Sequence, residues 1–165
     1  MASTYVPIQT YTLGSAQSSV TFNSFSGYTD LRLIMSARTD TANNVDYAVV
    51  KLNGDTGANY SRTELYGDGS SAASGRSANF LIGIASTAQG GNTDIKTMDT
   101  MDFMNYSNTT TYKTVLYRET SASQLTLAGV GLYRSTSAIT SITITGYYGT
   151  WQAGSTFTLY GIKAA

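Results

Sequence analysis

Apolar and polar residues alternate along most of the chain with a period of two. Leu31, Leu33 and Met35, for example, alternate with Arg32 and Ser36. Because successive side chains of a strand point to opposite faces of a sheet, this alternation predicts strands with one buried face. Other segments with this pattern, or rich in the β-branched and aromatic residues that strands favour, are residues 20–22, 45–49, 60–66, 80–85, 98–104, 113–118, 125–133, 139–145 and 157–162.

Glycine, asparagine and aspartate separate the predicted strands. Asn53-Gly54 is a strong signal for a tight turn, because both residues tolerate positive φ. Asp68-Gly69 and Gly90-Gly91 mark other turns or loops, and residues 67–75 form the longest predicted flexible stretch. No segment shows a helical period.

Many antiparallel strands without interleaved helices indicate a sandwich or a barrel. The strand number and the long connections favour an all-β, two-sheet antiparallel β-sandwich of jelly-roll type, with about ten strands. The 165 residues show no internal repeat and no convincing boundary. We therefore expect one domain over residues 1–165, with a short N-terminal arm at about residues 1–8.

Charge is low and balanced, with ten basic and ten acidic residues and 12% charged residues in total. Ordinary soluble domains have about 25%. The balance predicts no nucleic-acid partner, and little repulsion opposes association with other subunits. The N-terminus lacks the features of a signal peptide, and no apolar stretch approaches the ~20 residues of a membrane helix. We expect no membrane partner.

The chain contains no histidine and no cysteine, which excludes the commonest catalytic designs within one chain. The carboxylate pairs that remain are Asp99 with Asp102, Asp55 with Asp68, and Asp40 with Asp46. Asp99 and Asp102 are three apart, so in a strand they face opposite sides. We therefore predict no catalytic residues and no enzymatic activity.

Metal and cofactor sites are predicted to be absent. Asp55, Asn53 and Asp68 could offer oxygen ligands to calcium, but their spacing matches no calcium loop and suits turn-forming residues better. Gly67-Asp68-Gly69 has no following Lys-Ser or Lys-Thr and no helix, so it is not a phosphate loop.

Aromatic and arginine side chains are the candidates for binding surfaces. Tyr147, Tyr148 and Trp151 cluster near a turn, where they could stack on sugars or could fill core edges and subunit interfaces. Six arginines outnumber four lysines, and arginine is enriched at interfaces where lysine is depleted. Arg62 and Arg76 are therefore predicted to face a protein partner or a glycan.

Several sequence blocks resemble structural proteins of tailed bacteriophages, notably of cyanophages and other marine phages. One block is Asn53-Gly54-Asp55-Thr56-Gly57-Ala58-Asn59-Tyr60-Ser61-Arg62, followed by Leu65-Tyr66-Gly67-Asp68-Gly69. The others are residues 28–31, 105–113, 138–144 and 154–162. The resemblance covers about residues 5–162; it implies a virion component and carries no catalytic residues.

Two functions remain open at this level. The first is a non-enzymatic virion protein, a capsid decoration or cement protein that binds the phage major capsid protein lattice as a trimer. It is assembled in the host cytoplasm. The alternative is a receptor- or glycan-binding module of a tail fibre, head fibre or spike. A carbohydrate-active enzyme using Asp99 or Asp102 is the third and least favoured.

Overall fold

The computed structural model describes residues 4–43, 46–78, 95–121 and 125–163. Within these ranges there is no helix, and therefore no helix that could cross a membrane. The strands are β1 (Tyr5–Thr12), β2 (Ser19–Asn23), β3 (Asp30–Ala37), β4 (Ala48–Leu52), β5 (Tyr60–Gly67), β6 (Ala72–Ser77), β7 (Thr97–Phe103), β8 (Lys113–Ser121), β9 (Leu125–Tyr133), β10 (Ser141–Gly146) and β11 (Thr156–Ile162).

The described strands form two antiparallel sheets. The large sheet has eight strands in the order β1-β11-β3-β7-β8-β9-β5-β6, and the small sheet has three in the order β2-β10-β4. Neighbouring strands are joined by continuous antiparallel registers. The predicted all-β, two-sheet antiparallel sandwich is therefore confirmed.

The core lies between the two sheets and follows the alternation in the sequence. In β3, Leu31, Leu33 and Met35 are fully buried, while the residues between them are half-exposed. The small sheet contributes the buried residues Phe22 and Ile144 from the other side. Each such side chain stabilises the fold by roughly 1.5–3 kcal/mol through burial of apolar surface. We call the side of the large sheet that carries Leu31 its inner face and the other side its outer face.

The prediction of a flexible stretch over residues 67–75 is wrong for residues 72–75. These residues belong to β6, which pairs with β5 in a hairpin. Asp68 accepts hydrogen bonds from the N–H groups of Ser70 and Ser71, and Gly69 has φ +88°, so the turn is well defined. This strand is held by main-chain pairing with β5. The sequence pattern does not reveal it, because the small side chains of Ala-Ala-Ser-Gly show no apolar alternation.

Residues 5–8 of the predicted N-terminal arm belong to β1. β1 begins at Tyr5 and pairs with β11, from Tyr5 opposite Ile162 to Thr12 opposite Thr156, with an irregularity between Pro7 and Gln9. Main-chain pairing therefore holds residues 5–8 in the sheet. The strand predicted over residues 80–85, the Gly90-Gly91 turn and Val45 lie outside the described residues.

The Asn53-Gly54 turn is confirmed, with φ values of +55° and +67°. The Asn53 side chain also joins this turn to the chain before β10. Its Oδ1 accepts a hydrogen bond from Thr140 N at 2.7 Å, and its Nδ2 donates to Ala138 O at 2.8 Å. Asn53 therefore links the turn after β4 to the segment that enters β10.

Asp55, in the same block, also has a structural role. It accepts hydrogen bonds from Gly57 N at 2.7 Å, Asn59 Nδ2 at 2.8 Å and the Tyr133 hydroxyl at 3.1 Å. The Tyr133 ring stacks on the Tyr60 ring at 4.8 Å. These contacts hold the loop before β5 against the end of β9, and they engage the carboxylate that was considered as a calcium ligand.

Candidate binding surfaces on the two faces of the large sheet

Three of the five predicted surface residues lie together. Tyr147 and Tyr148 follow β10 in the small sheet, and Arg62 lies on the inner face of β5 in the large sheet. With Tyr47, which precedes β4, they line a cleft of about 180 Å³ between the sheets. We call these four residues the tyrosine cleft.

Of the three ring pairs in the cleft, two pack edge to face, and the Tyr47 and Tyr148 rings are tilted at 50°. The ring centroids of Tyr147 and Tyr148 are 4.6 Å apart with planes at 88°, and Tyr47 lies 6.2 Å and 6.1 Å from them. Such arrangements are favourable for aromatic quadrupoles. Tyr147 and Tyr148 nevertheless remain 51% and 56% exposed, so their rings and hydroxyls are accessible to a ligand.

A buried carboxylate holds the cleft in shape. Asp46 is fully buried, and its Oδ1 accepts hydrogen bonds from the N–H groups of Tyr47 at 2.7 Å, Tyr147 at 3.1 Å and Tyr148 at 2.9 Å. Its Oδ2 accepts one from Gly149 N at 3.1 Å. One carboxylate therefore fixes the main chain of both segments that supply the rings.

A second carboxylate anchors the far end of the same turn. Asp40 accepts hydrogen bonds from Thr150 N at 2.7 Å and Thr150 Oγ1 at 2.8 Å, and these bonds lower the pKa of Asp40. A Cβ on Gly149 would lie 2.6 Å from Asp40 Oδ1, so this position requires glycine. Asp40 and Asp46 do bind one turn together, but both carboxylates are occupied by its main chain.

An ion pair forms the large-sheet wall of the cleft. Arg62 Nε lies 3.5 Å from Glu64 Oε2, and both side chains are mostly buried. The Tyr117 hydroxyl donates to Glu64 Oε2 at 3.4 Å, and burial is the main cause of a raised pKa of Tyr117. Arg62 lines the cleft and therefore places hydrogen-bond donors beside the tyrosine rings, while Glu64 balances its charge.

Farther along the inner face, Asp99 and Glu119 lie directly opposite each other on β7 and β8, and both are fully buried. Asp99 accepts hydrogen bonds from Thr97 Oγ1 at 3.0 Å and Thr120 N at 3.3 Å. Burial raises the pKa of Asp99 to about 8, so this carboxyl is largely protonated at neutral pH.

Asp99 and Asp102 face opposite sides of the sheet, as their spacing predicts. Asp102 lies on the outer face, where Arg32 binds it through two hydrogen bonds of 2.5 and 2.8 Å. The two carboxylates therefore do not share a site. Among the described residues, no three acidic side chains gather in a way that could hold a metal ion.

The prediction that Trp151 faces a partner or a glycan is wrong. Its side chain is fully buried, packs on Phe157 at 5.3 Å and donates its indole N–H to Ile144 O at 3.3 Å. Its main chain bridges Gln17 and Thr39. A large apolar ring near a turn is thus drawn into the core, where its single donor is satisfied.

Arg76, the fifth predicted residue, lies on the opposite face from Arg62. It pairs with Thr63 across β6 and β5, and directly opposed residues project from the same face. The same row continues through Val130 and Leu116 to Asp102. Arg76 therefore belongs to the outer face.

The outer face carries an exposed apolar surface. Leu65, Met98, Leu116 and Val130 are 66%, 60%, 49% and 38% exposed and lie on the adjacent strands β5, β7, β8 and β9. Leu65 and Met98 help to line a groove of about 640 Å³, together with Arg118. We call these four apolar residues with Arg76 and Arg118 the outer groove.

The sequence interpretation considered Asp46 only as a partner of Asp40 in a catalytic pair, and it missed Tyr47 and the apolar residues of the outer groove. A signal for the groove does exist, because Leu116 lies between Val115 and Tyr117, which both point inward. Such a residue is informative only when neighbouring strands add others to the same face, because contiguous exposed apolar patches mark binding surfaces. No comparable local signal marks Asp46, whose partners on the turn are 101 to 103 residues away.

Comparisons with known proteins show only distant likenesses. No family model matches the sequence, and no curated protein matches it. A galectin of Caenorhabditis elegans, LEC-6, is 10% identical, with 94% of this chain and 96% of that chain covered and a TM-score of 0.38. The alginate lyase Aly36B is 8% identical, with 93% and 77% covered and a TM-score of 0.36. Likenesses at these TM-scores support no statement about ancestry or function.

Proposed function

We propose that this protein is a non-enzymatic glycan-binding module and that the tyrosine cleft is its binding site. The observation that carries the proposal is the meeting of Tyr47, Tyr147 and Tyr148 with Arg62 at the mouth between the sheets. Aromatic rings pack on the C–H faces of a sugar, while polar groups beside them bind its hydroxyls. Because the frame is held by Asp46, the rings need little ordering when a ligand binds.

The size and charge of the cleft limit the kind of ligand that it can bind. About 180 Å³ is smaller than the roughly 300–1,000 Å³ of pockets for drug-sized ligands, so the cleft suits one terminal sugar residue. Glu64 balances the charge of Arg62. The pair therefore suits a neutral sugar, whose hydroxyl groups accept hydrogen bonds from Arg62.

The test is a glycan array, followed by calorimetry on the glycans that bind. Replacing Tyr148→Ala removes an exposed ring without touching the Asp46 anchor, and we expect binding at least tenfold weaker. Tyr112→Ala is the matched control, because Tyr112 is 53% exposed and lies outside the cleft. The proposal fails if the array shows no binding, or if both variants bind as the unmodified protein does.

A second candidate is the virion structural role, with the chain as a capsid decoration protein, trimeric on a phage capsid lattice. The exposed apolar outer groove favours it, because monomers seldom expose large contiguous apolar surfaces without a partner. Counting copies in purified particles tests this role. Hundreds of copies per particle support decoration, and a handful at the tail contradicts it.

A further inference from the structure

We infer that the outer groove binds a segment of another protein that presents an apolar stripe flanked by carboxylates. This inference gives the assembly role of the second candidate a partner chemistry, and it does not depend on what the tyrosine cleft binds. It rests on the position of the apolar side chains, on two arginines and on the charge of the whole face.

Three of the apolar side chains are neighbours on the outer face, and Arg118 lies between Leu116 and the fourth, Met98. Val130 and Leu116 are directly opposite each other on β9 and β8, and Leu65 is opposite Ala128 two residues along. Met98 is on β7, and Arg118 on β8 lies between it and the other apolar residues, so Met98 lines the other side of the groove. Water covers these side chains in the isolated chain, so a partner that buries them gains about 25 cal/mol per Å² of apolar surface.

Two arginines lie on the same surface, Arg76 at its β6 edge and Arg118 between Leu116 and Met98. Arg76 and Arg118 are both exposed, and neither forms an ion pair among the described residues. They are three strands apart, which places their Cα atoms roughly 15 Å from each other, given a spacing of about 4.8 Å between strands. Arginine forms bidentate bonds with carboxylates, so acidic side chains at this spacing would complete the contact.

The charge of the outer face indicates which kind of partner it binds. Asp102, the carboxylate on the same row, is already bound by Arg32, so Arg76 and Arg118 leave the groove positive. Two copies of this chain, docked groove to groove, would bring four arginines together. The occupant is therefore a different chain with acidic residues, and not a second copy.

The probe is an amphipathic helical peptide with a leucine stripe and glutamates about ten residues apart, since a helix rises about 1.5 Å per residue. Its counterpart has lysines in place of the glutamates. With methyl-labelled methionine, the Met98 signal reports on the groove, while buried Met35 and Met101 serve as internal references. We expect the glutamate peptide to shift Met98 and to bind at least tenfold more tightly than the lysine peptide.

Charge reversal sharpens the test. The double variant Arg76→Glu with Arg118→Glu should prefer the lysine peptide, and Leu65→Ser should weaken both peptides. Tyr148→Ala should leave peptide binding unchanged, which separates this result from that of the glycan proposal. Absence of binding, equal binding of both peptides, or concentration-dependent dimerisation that Leu65→Ser abolishes would each overturn the inference, the last in favour of a second copy.

Discussion

Asp46 is the residue on which the tyrosine cleft most depends, and its replacement is the sharpest test of the cleft. Asp46→Ala removes the acceptor of four main-chain N–H bonds of 2.7 to 3.1 Å. A hydrogen bond to a charged group contributes about 1.5–3 kcal/mol. Water reaches the turn once the carboxylate is gone, so we take about 1 kcal/mol for each bond and expect a loss of about 4 kcal/mol.

Asp46→Asn separates hydrogen bonding from charge and shape. The amide oxygen can replace Oδ1, which binds Tyr47, Tyr147 and Tyr148, but the amide NH₂ then faces the N–H of Gly149. One of the four hydrogen bonds, that from Gly149, is lost, and its N–H then faces another donor. We expect a loss of about 1–2 kcal/mol, clearly smaller than that of Asp46→Ala.

Urea unfolding gives the free energies, and amide spectra follow the turn directly. A loss of 4 kcal/mol corresponds to a Tm lower by about 8–16 °C for a chain of this size. The control is Asp68→Ala, which removes a carboxylate that binds two main-chain N–H groups in an exposed loop and should change stability little. The reasoning is refuted if Asp46→Ala costs less than about 1 kcal/mol, or if both Asp46 variants lose the same amount.

Two other predictions concern the inner face and the packing of a strand glycine. Because burial raises the native pKa of Asp99 from 3.8 to about 8, the native state holds a proton that the unfolded state releases. The free energy of unfolding should therefore fall as the pH rises from about 4 to about 8. Asp99→Asn should flatten this slope and be more stable than the unmodified protein at about pH 9. An unchanged slope in this variant would contradict the raised pKa of Asp99. In Gly161→Ala the new Cβ would lie 2.2 Å from the Tyr28 ring, so we expect a loss of about 1–3 kcal/mol in urea unfolding. Gly14→Ala, where nothing lies within 4 Å, is the control.

The fold class could be predicted because the physics of a half-buried strand is local. In β3 every second residue from Leu31 to Ala37 is buried, and each of these buried residues is apolar. β6 could not be predicted in the same way, because its main chain pairs with β5 while its small side chains remain mostly exposed. A strand that is held mainly by main-chain pairing cannot be predicted from the pattern of apolar and polar residues.

The binding surfaces could be predicted only in part. Tyr147, Tyr148 and Arg62 were recognised by residue type, but their meeting with Tyr47 depends on the pairing of β4 with β10, which are distant in sequence. Trp151 has the same local signature as the two tyrosines, a large aromatic residue near glycines. Only the packing of the two sheets decides that it is buried while they are not.

The turn that carries Tyr147 and Tyr148 is held through its main-chain amides by Asp46 and Asp40. Its conformation therefore depends on two acidic residues and on the flanking glycines, and hardly on which side chains stand at positions 147 and 148. Related chains could exchange both aromatic residues and keep the same backbone. Substitution at these two positions costs the packing of the tyrosine rings but leaves the main-chain bonds of the turn in place, which makes it a suitable place for engineered libraries of new specificities.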